Sequence, residues 1–446
     1  MPVSWETRYP KSPVFYRRLK RDYPRIVRGE GVWLYDVEGN RYLDACSGAY
    51  VCNLGHGVRE IAEALSGQAR RLAYVNGTAF THDPAEELAE EISKFCPKPL
   101  DKSFFLCDGS DAVEAAFKLA RQHFAETGRP KKNKIVSLSP SYHGNTILSL
   151  SASARPQYKT HFAGWLIDFP SFQAPYPYRF AADHPSMTGD LFEETILREG
   201  PETIAAFIGE PVGGSSTGAS VPPPGYWKRI REICDKHDIF WIADEVLTGI
   251  GRTGTWSALE PYGAVPDMIL FGKGITGGYA PLSVLVTHEE ALRPIAAGSG
   301  ALLHNATFSH NAIGCAAGLA AIRYLREHAL IERAASMGKI LHEKLGVLRE
   351  RPEIGDIRGR GMLAGIEFVK DKTAKTPFPR ALKFAETFAE IAQAEGLVVW
   401  QSSGGADGVN GDFVMIAPPF IITEAEIDDI LARFVRTLDK MTTEAR

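Results

Sequence analysis

The sequence predicts an α/β fold on a mostly parallel sheet, and three observations predict it. Short apolar runs alternate with helical stretches between residues 103 and 273, the order that strand–helix units produce. The polar clusters Asp108-Gly109-Ser110, Glu210, Asp244-Glu245 and Lys273 each stand at the end of such a run. Ligands in these sheets sit beyond the carboxyl ends of the strands. The chain has 446 residues, too many for one ordinary core, which calls for two or three domains.

The elements follow in chain order. Residues 31–44 read as a hairpin, with alternating apolar residues around a Glu38-Gly39-Asn40 turn. Helical periodicity covers residues near 58–72 and 85–95. Residues 103–107 are a short apolar run, followed by a helix whose start is small and acidic and whose end lies near Gly128. Residues 134–139, 203–210, 239–247 and 268–273 are further strands, with a helix over 226–237. Past about residue 325 the character shifts. Residues 357–369 read as strands around a glycine turn, 380–394 as a helix, and 403–412 as a glycine-rich loop. The final helix, 423–441, starts with Thr423 as N-cap and Glu426 completing a capping box.

Composition narrows the function. Hydrophobic residues are 44% and charged residues 23%, the profile of a soluble globular protein. A net charge of −4 gives nucleic acid no broad basic surface. No apolar run reaches the roughly 18 residues of a membrane span, and the N-terminus lacks the apolar core of a secretory signal. The six cysteines are scattered without a CxxC pair, so no zinc site, other metal or disulfide framework is expected. Reduced thiols in a cytoplasm are the reading adopted.

The chemistry lies in two glycine-rich segments. Residues 242–254 deliver Asp244 to a strand end, ahead of a GxGxxG over Gly249–Gly254. As a dinucleotide fingerprint this fails, because two prolines break the helix it should open. The Asp244-Glu245 pair would also repel a pyrophosphate. In residues 268–283 a lysine stands between glycines after a strand. A phosphate-loop reading fails there, with Asp267 where the first glycine belongs and Gly274 in place of Ser/Thr. An amine withdrawn from water can instead form a Schiff base with an aldehyde, and flanking glycines let a bulky group approach. Pyridoxal phosphate needs further parts: a carboxylate at its ring nitrogen, a phosphate site at a helix N-terminus and an aromatic ring to stack on. Asp244, Gly109-Ser110 and Tyr142 supply them.

With these segments in order, the chain resembles a class III aminotransferase of the fold-type I pyridoxal phosphate family. The likeness runs from about residue 25 to the end through LYDVEGNRYLDACSGAYVCNLGHG, CDGSDAVEAAFKLAR, SYHGNT, GEPVGG, ADEVLTGIGRTG, FGKGITGGYAPLS, ATFSHNAIGCAAGLA and APPFIITEAEID. The resemblance implies a large cofactor domain over 58–325, a small α+β domain over 326–446, and an N-terminal segment, 1–57, that joins the small domain and the pocket. It implies Lys273 as the Schiff-base lysine and proton carrier, and Asp244 at the pyridinium nitrogen. It places Val246 on the ring face opposite Tyr142, Gly109 and Ser110 at the phosphate, and Glu210 near the ring. Thr307 resembles the threonine that reaches the phosphate in a neighbouring subunit, which implies a homodimer with shared sites. Whether dimers pair into tetramers stays open.

The substrate pocket departs from the family pattern. Many amine–pyruvate members carry an arginine where this chain has Trp400, and an indole makes no bidentate carboxylate contact. Either another arginine serves or the donor is not a simple α-amino acid. Tyr50, Trp400 and, more weakly, Phe80 suggest an aromatic-walled pocket for a primary amine or ω-amino acid. The expected reaction is ping-pong transamination to a 2-oxo acid, with pyruvate the expected acceptor. A racemase or decarboxylase of the same family remains the nearest alternative, and a dinucleotide-dependent oxidoreductase the distant one. His304 and His310 read as pocket-edge or interface residues, Arg252 as structural, and Arg358 and Arg360 as surface charges or carboxylate candidates.

Overall fold

The computed structural model describes residues 8–444. Its centre is a seven-stranded sheet in the order Lys102–Leu106, Ser283–Thr287, Met268–Phe271, Phe240–Asp244, Ile204–Gly209, Lys134–Ser139, Ser171–Gln173. Only Ser283–Thr287 runs against its neighbours, so the sheet is mostly parallel. The central strands are buried along their whole length. Helices cover both faces, which is why these runs are apolar throughout rather than alternating. On one face the helix Tyr226–His237 stacks Trp227 on Trp241 with ring centroids 5.4 Å apart. On the other, Gly109–Glu126 buries Ala112, Val113, Ala116 and Phe117.

A second sheet joins the two ends of the chain. The strands Ile26–Glu30, Trp33–Asp36 and Arg41–Asp44 are antiparallel, and Leu397–Val398 adds alongside Arg41–Asp44 in parallel. The expected hairpin is present, and Asp36 fixes its turn by accepting the amides of Glu38 and Asn40 at 3.0 and 2.9 Å. A third sheet orders Ile354–Gly359, Ala364–Asp371, Phe413–Ile416 and Trp400–Ser402, all antiparallel. The capping box of the last helix forms as expected: Thr423 N donates to Glu426 Oε2 at 2.8 Å and Glu426 N to Thr423 Oγ1 at 3.3 Å.

The expected helix over 380–394 begins only at Phe384. Lys383 takes a left-handed conformation (φ 49°) that separates it from a short turn at Arg380–Leu382. No helix among the described residues is long and apolar enough to cross a membrane.

Candidate active site

Five parallel strands end at one edge of the central sheet, and each hands over a polar residue. Leu106 leads to Asp108–Ser110, Ser139 to Tyr142, Gly209 to Glu210 and Phe271 to Lys273, while Asp244 closes its own strand. A cavity of about 430 Å³ opens there, within the size range of small-molecule sites. Of the residues expected from the sequence, Tyr50, Gly109, Ser110, Tyr142, Glu210, Asp244, Val246, Lys273 and Trp400 line it together.

Asp244 is 6% exposed and held from two sides. His143 Nδ1 lies 2.7 Å from its Oδ2, and the Val246 amide donates to Oδ1 at 3.2 Å. His143 is buried, and its Nε2 has no partner. Nδ1 therefore carries the proton toward the carboxylate. Sequence reasoning passed over His143, although it adjoins Tyr142.

Glu245 turns the other way, into the core, where Ser257 Oγ and the Ala258 amide (2.7 Å) bind it. Burial pushes its carboxyl up to about 7. The acidic pair is thus split between cavity and core. The GxGxxG that follows opens no helix, which removes the dinucleotide reading.

Lys273 is half-buried in a left-handed conformation (φ 44°) at the head of a tight turn. Asn53 clamps that turn from the N-terminal segment, donating to the carbonyls of Gly274 and Ile250 at 3.2 and 3.3 Å. Burial of its amine lowers Lys273 below the ordinary 10.5, against the opposing pull of Asp244, Glu210 and Asp108. Burial likewise raises the Glu210 carboxyl, which accepts the Gly214 amide at 3.0 Å and the Tyr142 amide at 3.3 Å.

The helix Gly109–Glu126 points its N-terminus at the cavity. Asp108 caps it, accepting the amides of Ser110 (2.7 Å) and Asp111 (3.1 Å). Packing at this end is close. A Cβ at Gly109 would stand 2.9 Å from Val246 Cγ1, and one at Gly272 3.1 Å from the same atom. Tyr142 is held across the cavity by Asn145 Nδ2, 2.8 Å from its hydroxyl.

These features fit pyridoxal phosphate. A lowered amine, an anchored carboxylate, a capped helix terminus for an anion and a slot closed by Val246 between two glycines converge on one space.

Tyr50 and Trp400 form the opposite wall, ring centroids 5.4 Å apart. The Tyr50 hydroxyl lies 3.1 Å from Met415 Sδ. Three further residues of this wall were not singled out from the sequence: Arg155, Tyr158 and Arg17. The guanidiniums of Arg155 and Arg17 lie 4.7 and 5.3 Å from the Tyr158 ring centre. Burial pushes the Tyr158 phenol up, but those two cations hold it below its ordinary value.

Two expected residues lie outside the cavity. Phe80 is 67% exposed, and Thr307 is exposed as well. Their loops meet: Tyr74 packs edge-on against Phe308 at 6.1 Å. His304 and His310 also lie off the cavity, against Phe104. Arg252 is structural as expected, donating to the carbonyls of Met362 and Pro418. Arg358 is no surface charge. Its side chain is 9% exposed and pairs with Glu367 at 2.8 Å and Asp356 at 3.1 Å.

Comparison with known proteins identifies the family. The aminotransferase class-III family model matches residues 17–438. YodT of Bacillus subtilis, an uncharacterized aminotransferase, is 37% identical over 94% of this chain and 96% of its own. The putrescine–pyruvate aminotransferase of Pseudomonas aeruginosa is 34% identical, covering 95% of this chain and 92% of its own. Among solved structures, an omega transaminase from Pseudomonas jessenii in complex with PMP superposes with a TM-score of 0.88. It is 34% identical and covers 95% of this chain and 93% of its own.

Proposed function

The chain belongs to the class-III aminotransferases, pyridoxal phosphate enzymes of fold-type I, and we propose that it moves the amino group of a primary amine or ω-amino acid to pyruvate. Pyridoxal phosphate, when bound, supplies an electron-accepting ring and carries the amino group between the two half-reactions. Lys273 holds the cofactor and then moves the proton at the substrate Cα, a task suited to an amine whose pKa burial lowers. Asp244, kept in place by His143, would hold positive charge at the ring nitrogen. Gly109 and Ser110 would receive the phosphate at the helix terminus, Tyr142 and Val246 would flank the ring, and Glu210 would stand beside it.

The observation that carries the substrate reading is the wall of Tyr50 and Trp400, which presents aromatic surface where a donor's carbon skeleton must lie. A pyruvate acceptor agrees with the named activity of the Pseudomonas aeruginosa relative. A donor panel of plain amines, ω-amino acids and α-amino acids against pyruvate tests it. Plain amines and ω-amino acids should turn over fastest, and a preference for α-amino acids would reject the reading.

The same reading gives a homodimer. Phe80 and Thr307 sit on touching loops with Tyr74, Leu303 and Phe308 all exposed, an apolar patch that a second copy would cover, placing Thr307 near the neighbour's phosphate. It also keeps the division at residues 57 and 325, supported by the separate sheets. A reducing cytoplasm suits the six free thiols.

A further inference from the structure

We propose that Arg155 is the residue that binds the carboxylate of the 2-oxo acid acceptor. The proposal rests on the aminotransferase reading and identifies the group that Trp400 cannot supply.

Arg155 lines the cavity and is 5% exposed. Its guanidinium hydrogen-bonds neutral acceptors: Ser402 Oγ at 2.9 Å, Ser215 Oγ at 3.3 Å and Ser403 O at 3.4 Å. No carboxylate among the described residues lies within ion-pair distance of it. The other buried guanidiniums differ. Arg358 is matched by two acids. Arg252 also meets no acid among the described residues, but it lies off the cavity, donating to the carbonyls of Met362 and Pro418 and to Ser47 Oγ.

A guanidinium keeps its charge at any working pH, and an unpaired buried charge is costly. A substrate carboxylate offers the missing counter-charge in the planar, two-pronged form that arginine matches best.

The surroundings also orient the group. Trp400 and Ser402 are two residues apart on the strand Trp400–Ser402, so their side chains leave the same face. Trp400 enters the cavity while Ser402 holds Arg155 from behind. Tyr158 flanks the guanidinium, its ring centre 4.7 Å away. One wall of the pocket therefore offers both an aromatic surface and a fixed cation. A donor without a carboxylate leaves Arg155 on its serines, and a 2-oxo acid engages it. This lets one pocket accept plain amines and oxo acids in turn.

The test separates the half-reactions in single-turnover experiments on the holoenzyme, following cofactor absorbance. Arg155→Met should lower kcat/KM for pyruvate about 100-fold, as expected for losing a charge-assisted pair. The half-reaction with a plain amine should change far less, and that with a carboxylate-free aldehyde acceptor should behave like the amine. Arg155→Lys should recover part of the pyruvate rate. Equal losses with pyruvate, aldehyde and amine would overturn the proposal. A wild-type measurement covers a variant that fails to fold: propionate should inhibit competitively against pyruvate while propionamide does not, and equal inhibition by both would also overturn it. If the wild type fails to transfer an amino group from any donor, the aminotransferase reading fails instead, before Arg155 is tested.

Discussion

Replacing Glu245 by glutamine should remove a pH dependence of stability that the wild type carries between about pH 4.5 and 7. Glu245 is fully buried, and burial lifts its carboxyl from 4.5 to about 7. Across that window the folded protein keeps a proton that the unfolded chain has released. The folded state thus binds more protons, and stability falls as pH rises. A shift from 4.5 to about 7 corresponds to roughly 3 kcal/mol, present below pH 4.5 and lost by the time the pH passes 7. The hydrogen bonds survive the change. A glutamine oxygen still accepts the Ala258 amide, and its NH2 reaches Ser257 Oγ. Urea unfolding of both proteins at pH 5 and pH 8 measures the effect. The difference between wild type and variant should widen in the variant's favour by about 2–3 kcal/mol at the higher pH. Parallel pH responses would refute the argument that this carboxyl is buried without a cation and turned from the cavity.

Lys273→Ala should abolish turnover and the yellow colour of the purified protein together, as absorbance and activity assays will show; retained activity would move the proton carrier elsewhere. Gly109→Ala should weaken cofactor retention about tenfold, because its Cβ would stand 2.9 Å from Val246 Cγ1. Adding Val246→Ala should restore part of the loss, measured by dialysis and re-addition of cofactor. Capture of pyridoxal phosphate by the apo-protein should rise with pH through a midpoint below 10.5, the direction in which burial moves Lys273. Asn53→Ala should cost about 1–2 kcal/mol of stability through the freed carbonyls of Gly274 and Ile250.

The parallel strands and the residues at their ends were legible because each run is apolar, short and followed by a polar cluster. The antiparallel strand Ser283–Thr287 was missed, although its β-branched run SVLVT carried a usable signal. Ser171–Gln173 is three residues long and offered none. The helix Ala312–Glu327 is buried around much of its girth, so it lacks the two-sided pattern that marks a surface helix. Within the site, Lys273, Asp244 and Tyr142 could be found because each stands at or just past the end of a strand. His143 could not be separated from Tyr142, since the 140–145 loop has no regular period to say which side chain turns to the sheet. Arg155 stands in a polar stretch, SASARPQYK, where an arginine ordinarily faces water. Its meaning comes from the absence, among the described residues, of an acid beside it in space. Phe80 and Thr307 lie outside the cavity on loops that meet, and sequence spacing could not bring those loops together.

The most direct test of the account is a single turnover with the acceptor left out. Holoenzyme mixed with excess plain amine should release one carbonyl product per active site and then stop, with the absorbance of the aldehyde form of the cofactor lost in step. Added pyruvate should restore that absorbance and release alanine. Continued product formation without any oxo acid, or no recovery with either pyruvate or 2-oxoglutarate, would contradict it.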